Sequence, residues 1–163
     1  MESDPPQPLP TDFHEHPGEI PPPPGFEGAY LIGDAPVSFT GFHTTVRVDW
    51  TDGDARTRTG ARGAWLRFPH PLVEGEPTSA FAHLASLSDF GNALGGFETE
   101  GGWGYINVDI TLYLNRAPQG DWFHLYSVAR PATTGHGVVT TTISDAAGYL
   151  GQVVQATLAN RRD

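Results

Sequence analysis

One segment of helical spacing, set between segments that alternate strictly, constrains the fold of this sequence most. Apolar and small side chains recur at helical intervals in this segment, at Phe81, Leu84, Ala85, Leu87 and Ser88. Thr78 or Ser79 is suited to be the N-cap, and Gly95 followed by Gly96 is a stop signal. We therefore predict one helix over Ala80 to Leu94, apolar on most of its surface.

The other patterned segments alternate with the period of two that is typical of half-buried strands. Two predicted strands precede the helix, with inward faces formed by Phe42, Val46, Val48 and Trp50 and by Ala64, Leu66 and Phe68. Four follow it, at Gly104 to Asn115, Trp122 to Arg130, Gly137 to Ser144 and Tyr149 to Asn160. In the first of these four we expect one parity to cover the helix, namely Ile106, Val108, Ile110, Leu112 and Leu114. We expect the other parity to lie on the outer face, namely Asn107, Asp109, Thr111, Tyr113 and Asn115. Short connections favour antiparallel pairing, so we predict an α+β domain in which a curved sheet wraps one helix.

The first 38 residues differ from the rest, because they hold ten of the fifteen prolines. Such a composition cannot build a core, so we predict an arm over residues 1–38, disordered or draped, and a folded domain over 39–163. The four prolines from Pro21 to Pro24 are suited to a polyproline ligand, but a stiff linker is the more frequent use of such a run.

Composition excludes several classes of function. The net charge is −10, with 19 acidic residues against 9 arginines and no lysine, which opposes binding to nucleic acid. No apolar run is long enough to cross a membrane and no signal peptide is evident, so we expect a cytoplasmic protein. Cysteine is absent, and neither the pair His14 and His16 nor His83 or His124 has further ligands at metal spacing. We expect no metal and no cofactor.

Four stretches in order resemble a known family. They are "WLRF" at Trp65, "LASLSDFGN" at Leu84, "INVDITLYLNRAPQGDW" at Ile106 and "DAAGYLGQVVQATL" at Asp145. Together they resemble the C-terminal half of acyl-CoA thioesterase II and its thioesterase-like relatives, over roughly residues 40 to 160. The resemblance implies the hot-dog fold, a single sheet wrapped around a central helix.

The resemblance also implies a site. Thioester hydrolysis in the family uses an Asp on the helix, a Ser or Thr on the following strand and a Gln on the last strand. Those positions correspond to Asp89, Asn107 and Gln155, so the chain departs from the family at Asn107. Hydrolysis would use a water activated by Asp89, with a backbone N–H near the helix polarising the carbonyl. We expect Trp103, Tyr105 and Arg116 to contact the substrate, Arg116 through a coenzyme A phosphate.

Two further functions stay open beside hydrolysis of an acyl-CoA or acyl-carrier thioester. One is non-catalytic binding of an acyl chain or another bulky apolar metabolite, and the other is a biosynthetic cyclase acting on a polyketide-like substrate. An enoyl-CoA hydratase is disfavoured, because no Asp and His form one motif after a strand. Family members with the full pattern carry two fused hot-dog domains, so we expect a homodimer or a heterodimer with another hot-dog chain, and a site near the subunit interface facing Asn107.

Overall fold

The computed structural model describes residues 19–25, 29–30, 41–54, 60–96 and 103–161. These residues form one antiparallel sheet of eight strands and three helical segments. The strands are β1 (Ala29–Tyr30), β2 (Arg47–Asp52), β3 (Ala61–Arg67), β4 (Trp103–Asn107), β5 (Thr111–Leu114), β6 (Phe123–Pro131), β7 (His136–Asp145) and β8 (Gly148–Arg161). The helices are α1 (Phe42–Thr45), α2 (Ala80–Leu87) and α3 (Phe90–Leu94). The strand order is β1-β2-β3-β6-β7-β8-β4, and β5 also pairs with β8.

The core lies between the inner face of the sheet and the helical segments. Four helical side chains are buried there, Leu84, Leu87, Phe90 and Leu94. They pack against inward side chains of the sheet that include Leu66, Phe123, Leu125 and Ile143. The predicted α+β hot-dog architecture is thereby confirmed. The helical spacing also suggested burial of Phe81 and Ala85, and this is wrong, because Phe81 is 55% exposed and Ala85 is also exposed.

The predicted single helix over Ala80 to Leu94 is two segments. The hydroxyl of Ser79 accepts a hydrogen bond from the Ala82 N–H at 3.2 Å, which is the expected N-cap. α2 then ends at Leu87, because the Ser88 N–H bonds to the Ala85 carbonyl three residues back at 3.3 Å. The Ser88 hydroxyl also donates a hydrogen bond to the Leu84 carbonyl at 3.0 Å. Such bonds tighten and bend a helix, and α3 restarts after Asp89.

The first predicted strand begins later than its alternation suggested. Phe42 lies in the one-turn helix α1, before which the Gly41 N–H donates a hydrogen bond to the Thr44 hydroxyl at 2.9 Å. Val46 and Val48 are buried as predicted, and Trp50 is half-buried. β1 lies within the predicted arm, and it adds a short edge strand beside β2. Most of residues 1–38 and their predicted disorder lie outside the described residues, and the domain boundary at residue 39 stays a prediction.

A β-bulge divides the predicted strand Gly104 to Asn115 into β4 and β5. Asn107 is opposite Thr157 and Thr111 is opposite Val154, so that residues 108–110 face only residues 155 and 156. One extra residue reverses which parity points inward. Ile106, Val108 and Ile110, predicted to cover the helix, are therefore 49%, 66% and 42% exposed.

The predicted inward direction of the same strand is right beyond the bulge and wrong before it. Leu112 and Leu114 pack against the core, as expected. The residues of the other parity, Asp109, Thr111, Tyr113 and Asn115, are exposed, also as expected. The consequence for the site is that Asn107, which precedes the bulge, faces the helix.

Candidate active site

Asp89 and Asn107 meet where the helical region changes direction. Asp89 lies between α2 and α3 and is exposed, and its side chain makes no capping bond to α3. Asn107 is the last residue of β4 and half-buried. Its Nδ2 donates to Oδ1 of Asp89 at 2.6 Å. A hydrogen bond to an ionised carboxylate is stronger than one between neutral groups, so this contact ties β4 to the helix junction.

Gln155 supplies a third polar side chain from the inner face of β8. It is fully buried, and its Nε2 donates to the main-chain carbonyl of Asp89 at 3.4 Å. β8 pairs with β7 on one side and with β4 and β5 on the other, so Gln155 lies in the sheet interior and not on an edge. Asn107 and Gln155 lie on the inner face of neighbouring strands, so both side chains approach Asp89 from the sheet.

The side-chain amide oxygens of Asn107 and Gln155 can each still accept a hydrogen bond. Oδ1 of Asn107 and Oε1 of Gln155 are buried and accept no hydrogen bond from the residues that the structure describes. An unsatisfied buried acceptor costs about 1–3 kcal/mol, so such atoms mark a place where a partner is needed. A buried water that bridges polar groups is the usual partner.

Gly91, in the first turn of α3, allows the helix to approach the sheet at Gln155. A Cβ at Gly91 would collide with Oε1 of Gln155 and would lie 2.5 Å from Oγ1 of Thr141. Thr141 in turn shares a 2.8 Å hydrogen bond with Ser127, and both hydroxyls are buried. Glycine is therefore required here by the close approach, although it weakens a helix interior.

The orientation of α3 is fixed at its far end by Arg62, a charged residue buried on β3. Its Nε donates to the Leu94 carbonyl at 2.6 Å, and its guanidinium also bonds to the carbonyls of Ala93 and Asp54. A cation at a helix C-terminus satisfies the last carbonyls and complements the helix dipole. On the same segment, Asn92 Nδ2 donates to the Tyr105 carbonyl at 2.8 Å and holds β4 against α3.

The three predicted substrate-contact residues have different settings. Tyr105 and Trp103 share the parity of Asn107 on β4, so their side chains lie on its face of the sheet, and burial raises the pKa of Tyr105. Arg116 instead forms a bidentate ion pair with Asp145, at 2.8 and 2.6 Å, and also donates to the carbonyls of Gly148 and Tyr149. Arg116 thus holds the corner beside the β7–β8 hairpin, and its guanidinium is engaged within the protein.

Sequence reasoning missed the residues that position the site. Gly91, Thr141 and Arg62 act through contacts between distant segments, for which no local pattern exists. Asp109, a predicted outer-face residue, has a further structural role, because its Oδ1 accepts from the Ala156 N–H at 2.8 Å and stabilises the bulge that turns Asn107 inward.

Among the described residues, no three His, Asp or Glu side chains gather as a metal site would require. Nor does that part of the chain contain a helix with the length and apolarity to cross a membrane. His124 lies on the outer face of β6 at 1% exposure, where burial lowers its pKa to about 4. Its Nε2 is 2.7 Å from the Thr51 hydroxyl, so it is a neutral packing residue distant from the helix junction.

The model of one protein family, the acyl-CoA thioesterase C-terminal domain, matches residues 9–159 of this chain. No curated protein matches the sequence. The matched range includes all strands of the sheet except the end of β8, together with Asp89, Asn107 and Gln155.

Solved structures support the fold. The chain is similar to acyl-CoA thioesterase II TesB2 from Mycobacterium marinum, at 17% identity and a TM-score of 0.59, over 93% of this chain and 59% of that one. A conserved hot-dog protein of unknown function from Alicyclobacillus acidocaldarius gives the same four values. The tesB protein of Mycobacterium avium subsp. paratuberculosis is 14% identical, with a TM-score of 0.50, over 71% and 47% of the two chains. The chain thus spans about 59% of the length of the first two.

Proposed function

Because the chain belongs to the acyl-CoA thioesterase C-terminal domain family, we propose that it hydrolyses an acyl thioester, carried by coenzyme A or an acyl carrier, with a water held by Asp89, Asn107 and Gln155. The observation that carries the proposal is that side chains from β4 and β8 both bond to Asp89 at the junction between α2 and α3. Asn107 is 2.6 Å from the Asp89 carboxylate, and Gln155 donates to the main chain of the same residue.

The chemistry follows from the acceptors at this point. A water that donates one proton to Asp89 and the other to an unpaired amide oxygen, of Gln155 or Asn107, directs its lone pair outward. Attack on the thioester carbonyl carbon forms a C–O bond, and Asp89 takes the proton as general base. The C–S bond then breaks, and the thiolate leaves and takes up a proton. The products are a carboxylic acid and a free thiol.

The proposal is tested by hydrolysis of acyl-CoA substrates of graded chain length and of acyl-carrier thioesters, on wild type and Asp89→Ala. The matched control is Glu76→Gln, which removes an exposed carboxylate in the loop before α2. Hydrolysis by wild type and the control, but not by Asp89→Ala, supports the proposal. Equal rates in all three proteins would contradict a catalytic role of Asp89.

A non-catalytic acyl binder is the second candidate, and the hydrogen bond from Asn107 favours it. An amide stands where the family has a hydroxyl, and it already occupies one oxygen of the carboxylate that should accept the proton. Retained binding of an acyl-CoA without hydrolysis of any substrate would favour this function. Conversion of a polyketide-like substrate without thiol release would instead favour a cyclase.

We propose further that the active unit is a dimer, of two copies or of this chain with another hot-dog chain. β4 ends the strand order of the described sheet and leaves one edge unpaired. Four apolar side chains near that edge are more than 40% exposed, Ile106, Val108, Ile110 and Leu158. Sedimentation of a 17.5 kDa monomer at micromolar concentration, with undiminished hydrolysis, would contradict this proposal.

A further inference from the structure

We propose that the outer face of the sheet carries a groove for a proline-rich peptide segment, and that residues 19–25 of the same chain occupy it as an intramolecular ligand. This groove lies on the face opposite the helices, so it is distinct from the site at Asp89. We call it the proline groove and define its walls by Trp65, Thr142, Ser144 and Tyr149.

The principal contact is made by Trp65. Its neighbours Ala64 and Leu66 point into the core, so the indole points outward, yet it is only 2% exposed. Its Nε1 donates to the main-chain carbonyl of Pro21 at 3.0 Å. An indole N–H is a donor without acceptor capacity, and burial of this group requires an acceptor. The proline segment supplies that acceptor, which makes the contact a specific one.

The composition of the groove suits this ligand. Ile20, Pro21, Pro22 and Pro23 form one side of a cavity of about 400 Å³, and the walls of the groove form the other side. Proline has no N–H, so such a segment cannot extend a sheet, and it binds through its carbonyls and its rings. Recognition of proline-rich segments typically uses aromatic walls with a hydrogen-bond donor between them. Trp65 and Tyr149 are the aromatic walls, and Tyr149 remains 52% exposed.

The intramolecular ligand is attached close to its site. Residue 25 is followed after three residues by β1, which pairs with β2, and β2 is the neighbour of the strand that bears Trp65. A tether this short gives an effective concentration in the millimolar range. A proline-rich segment of another polypeptide must therefore displace the chain's own segment, which sets a threshold for binding at this face.

The test uses the full chain and follows the Trp65 indole N–H, assigned by comparison with Trp65→Phe. In Pro22→Gly/Pro23→Gly the rings that fix φ are removed from the segment. We expect exchange of this N–H with solvent to rise by about tenfold, because the glycines give the released segment many more conformations to lose when it binds. The control Pro71→Gly/Pro77→Gly changes two exposed prolines that do not line the groove, and its exchange should equal that of wild type.

Addition of a blocked Glu-Ile-Pro-Pro-Pro-Pro-Gly peptide completes the test. It should restore the protection in Pro22→Gly/Pro23→Gly and bind wild type at least about tenfold more weakly, because the intramolecular segment competes. A peptide with four alanines in place of the prolines should not restore protection. The proposal would be overturned if exchange in Pro22→Gly/Pro23→Gly equalled that of wild type, or if the proline peptide did not restore the protection. Protection in wild type that depends on protein concentration would show exchange of arms between copies and overturn the intramolecular assignment.

Discussion

Nδ2 of Asn107 donates to Oδ1 of Asp89 over 2.6 Å, and this bond joins the end of β4 to the junction between α2 and α3. The bond exists because the bulge after Asn107 reverses the parity of the strand and turns this side chain toward the helix. It holds the carboxylate in place and also occupies one of its oxygens. In the proposed hydrolysis, the two effects would change the reaction rate in opposite directions.

Replacement of Asn107 by serine, the residue type that the resemblance implies at this position, separates the two effects. A hydroxyl is shorter than the amide, so Oδ1 of Asp89 becomes available to the water, and Oε1 of Gln155 can still accept the second proton of that water. We expect thioester hydrolysis to rise by about tenfold, the equivalent of one hydrogen bond to a charged group. The control is Asn115→Ser on the exposed end beyond β5, which should leave the rate unchanged. A rate in Asn107→Ser far below that of wild type would show that the amide is required.

Gly91→Ala should lower both stability and hydrolysis. Alanine alone would stabilise a helix interior by about 1 kcal/mol. The added Cβ would collide with Gln155 and approach Thr141, so we expect a net loss of about 1–3 kcal/mol in the free energy of unfolding, typical of overpacking. Denaturant unfolding measures the change. In the Gln155→Ala background one collision partner is absent, so the cost of Gly91→Ala should be smaller, and equal costs would contradict this packing account.

Arg116→Met should reduce thermal stability more than Arg67→Met does. The first variant leaves Asp145, which is 3% exposed, without its bidentate partner. The second breaks an ion pair with Asp121 whose side chains are 32% and 47% exposed, and such pairs contribute little. Thermal melts at pH 7 compare the two. Equal losses would indicate that Arg116 does not stabilise the corner.

The Arg116 hydrogen bonds hold the pKa of Asp145 below its ordinary value of 3.8. A carboxyl with a lowered folded-state pKa contributes stability above its unfolded pKa, and the contribution is lost as the pH falls through the folded pKa. In Arg116→Met the pKa of Asp145 should rise, and this part of the acid-dependent loss should shrink. Melts below pH 4 report the difference.

His124 should make the protein less stable between pH 6.5 and about 4, the interval between its ordinary pKa and its lowered one. In this interval the unfolded chain binds a proton that buried His124 does not, so stability declines as the pH falls. His124→Gln, which keeps a polar group near Thr51, should remove that decline. Melts at pH 7, 5.5 and 4.5 test it, and identical pH profiles in both proteins would contradict the assignment.

The sequence was sufficient for the elements whose signals are local. Ser79 caps α2, and Leu84 and Leu87 are buried, as their spacing predicts. The identity of the three polar residues at the site came from a family resemblance and not from periodicity. Their proximity is observed, and their catalytic roles stay predictions.

The remaining features depend on distant contacts. A bulge shifts the register by one residue without altering the alternation of the sequence. The alternation therefore predicts an inward side chain at Ile106, although this side chain is exposed. Arg62 reads as a surface residue until the α3 carbonyls are placed beside it. Trp65 was part of a family stretch, but its contact with Pro21 joins residues 44 positions apart. No local pattern specifies such a pair.

In the proposed reaction, the Asp89 carboxylate activates the water that cleaves the thioester. The most direct measurement is kcat/KM for thiol release by Asp89→Asn, which keeps the shape of the side chain and removes its charge. General-base loss predicts a fall of about 100-fold or more, with unchanged unfolding temperature and unchanged binding of an unreactive acyl-CoA analogue. A rate within about threefold of wild type would contradict a general-base role of Asp89, because such a base contributes about 100-fold or more.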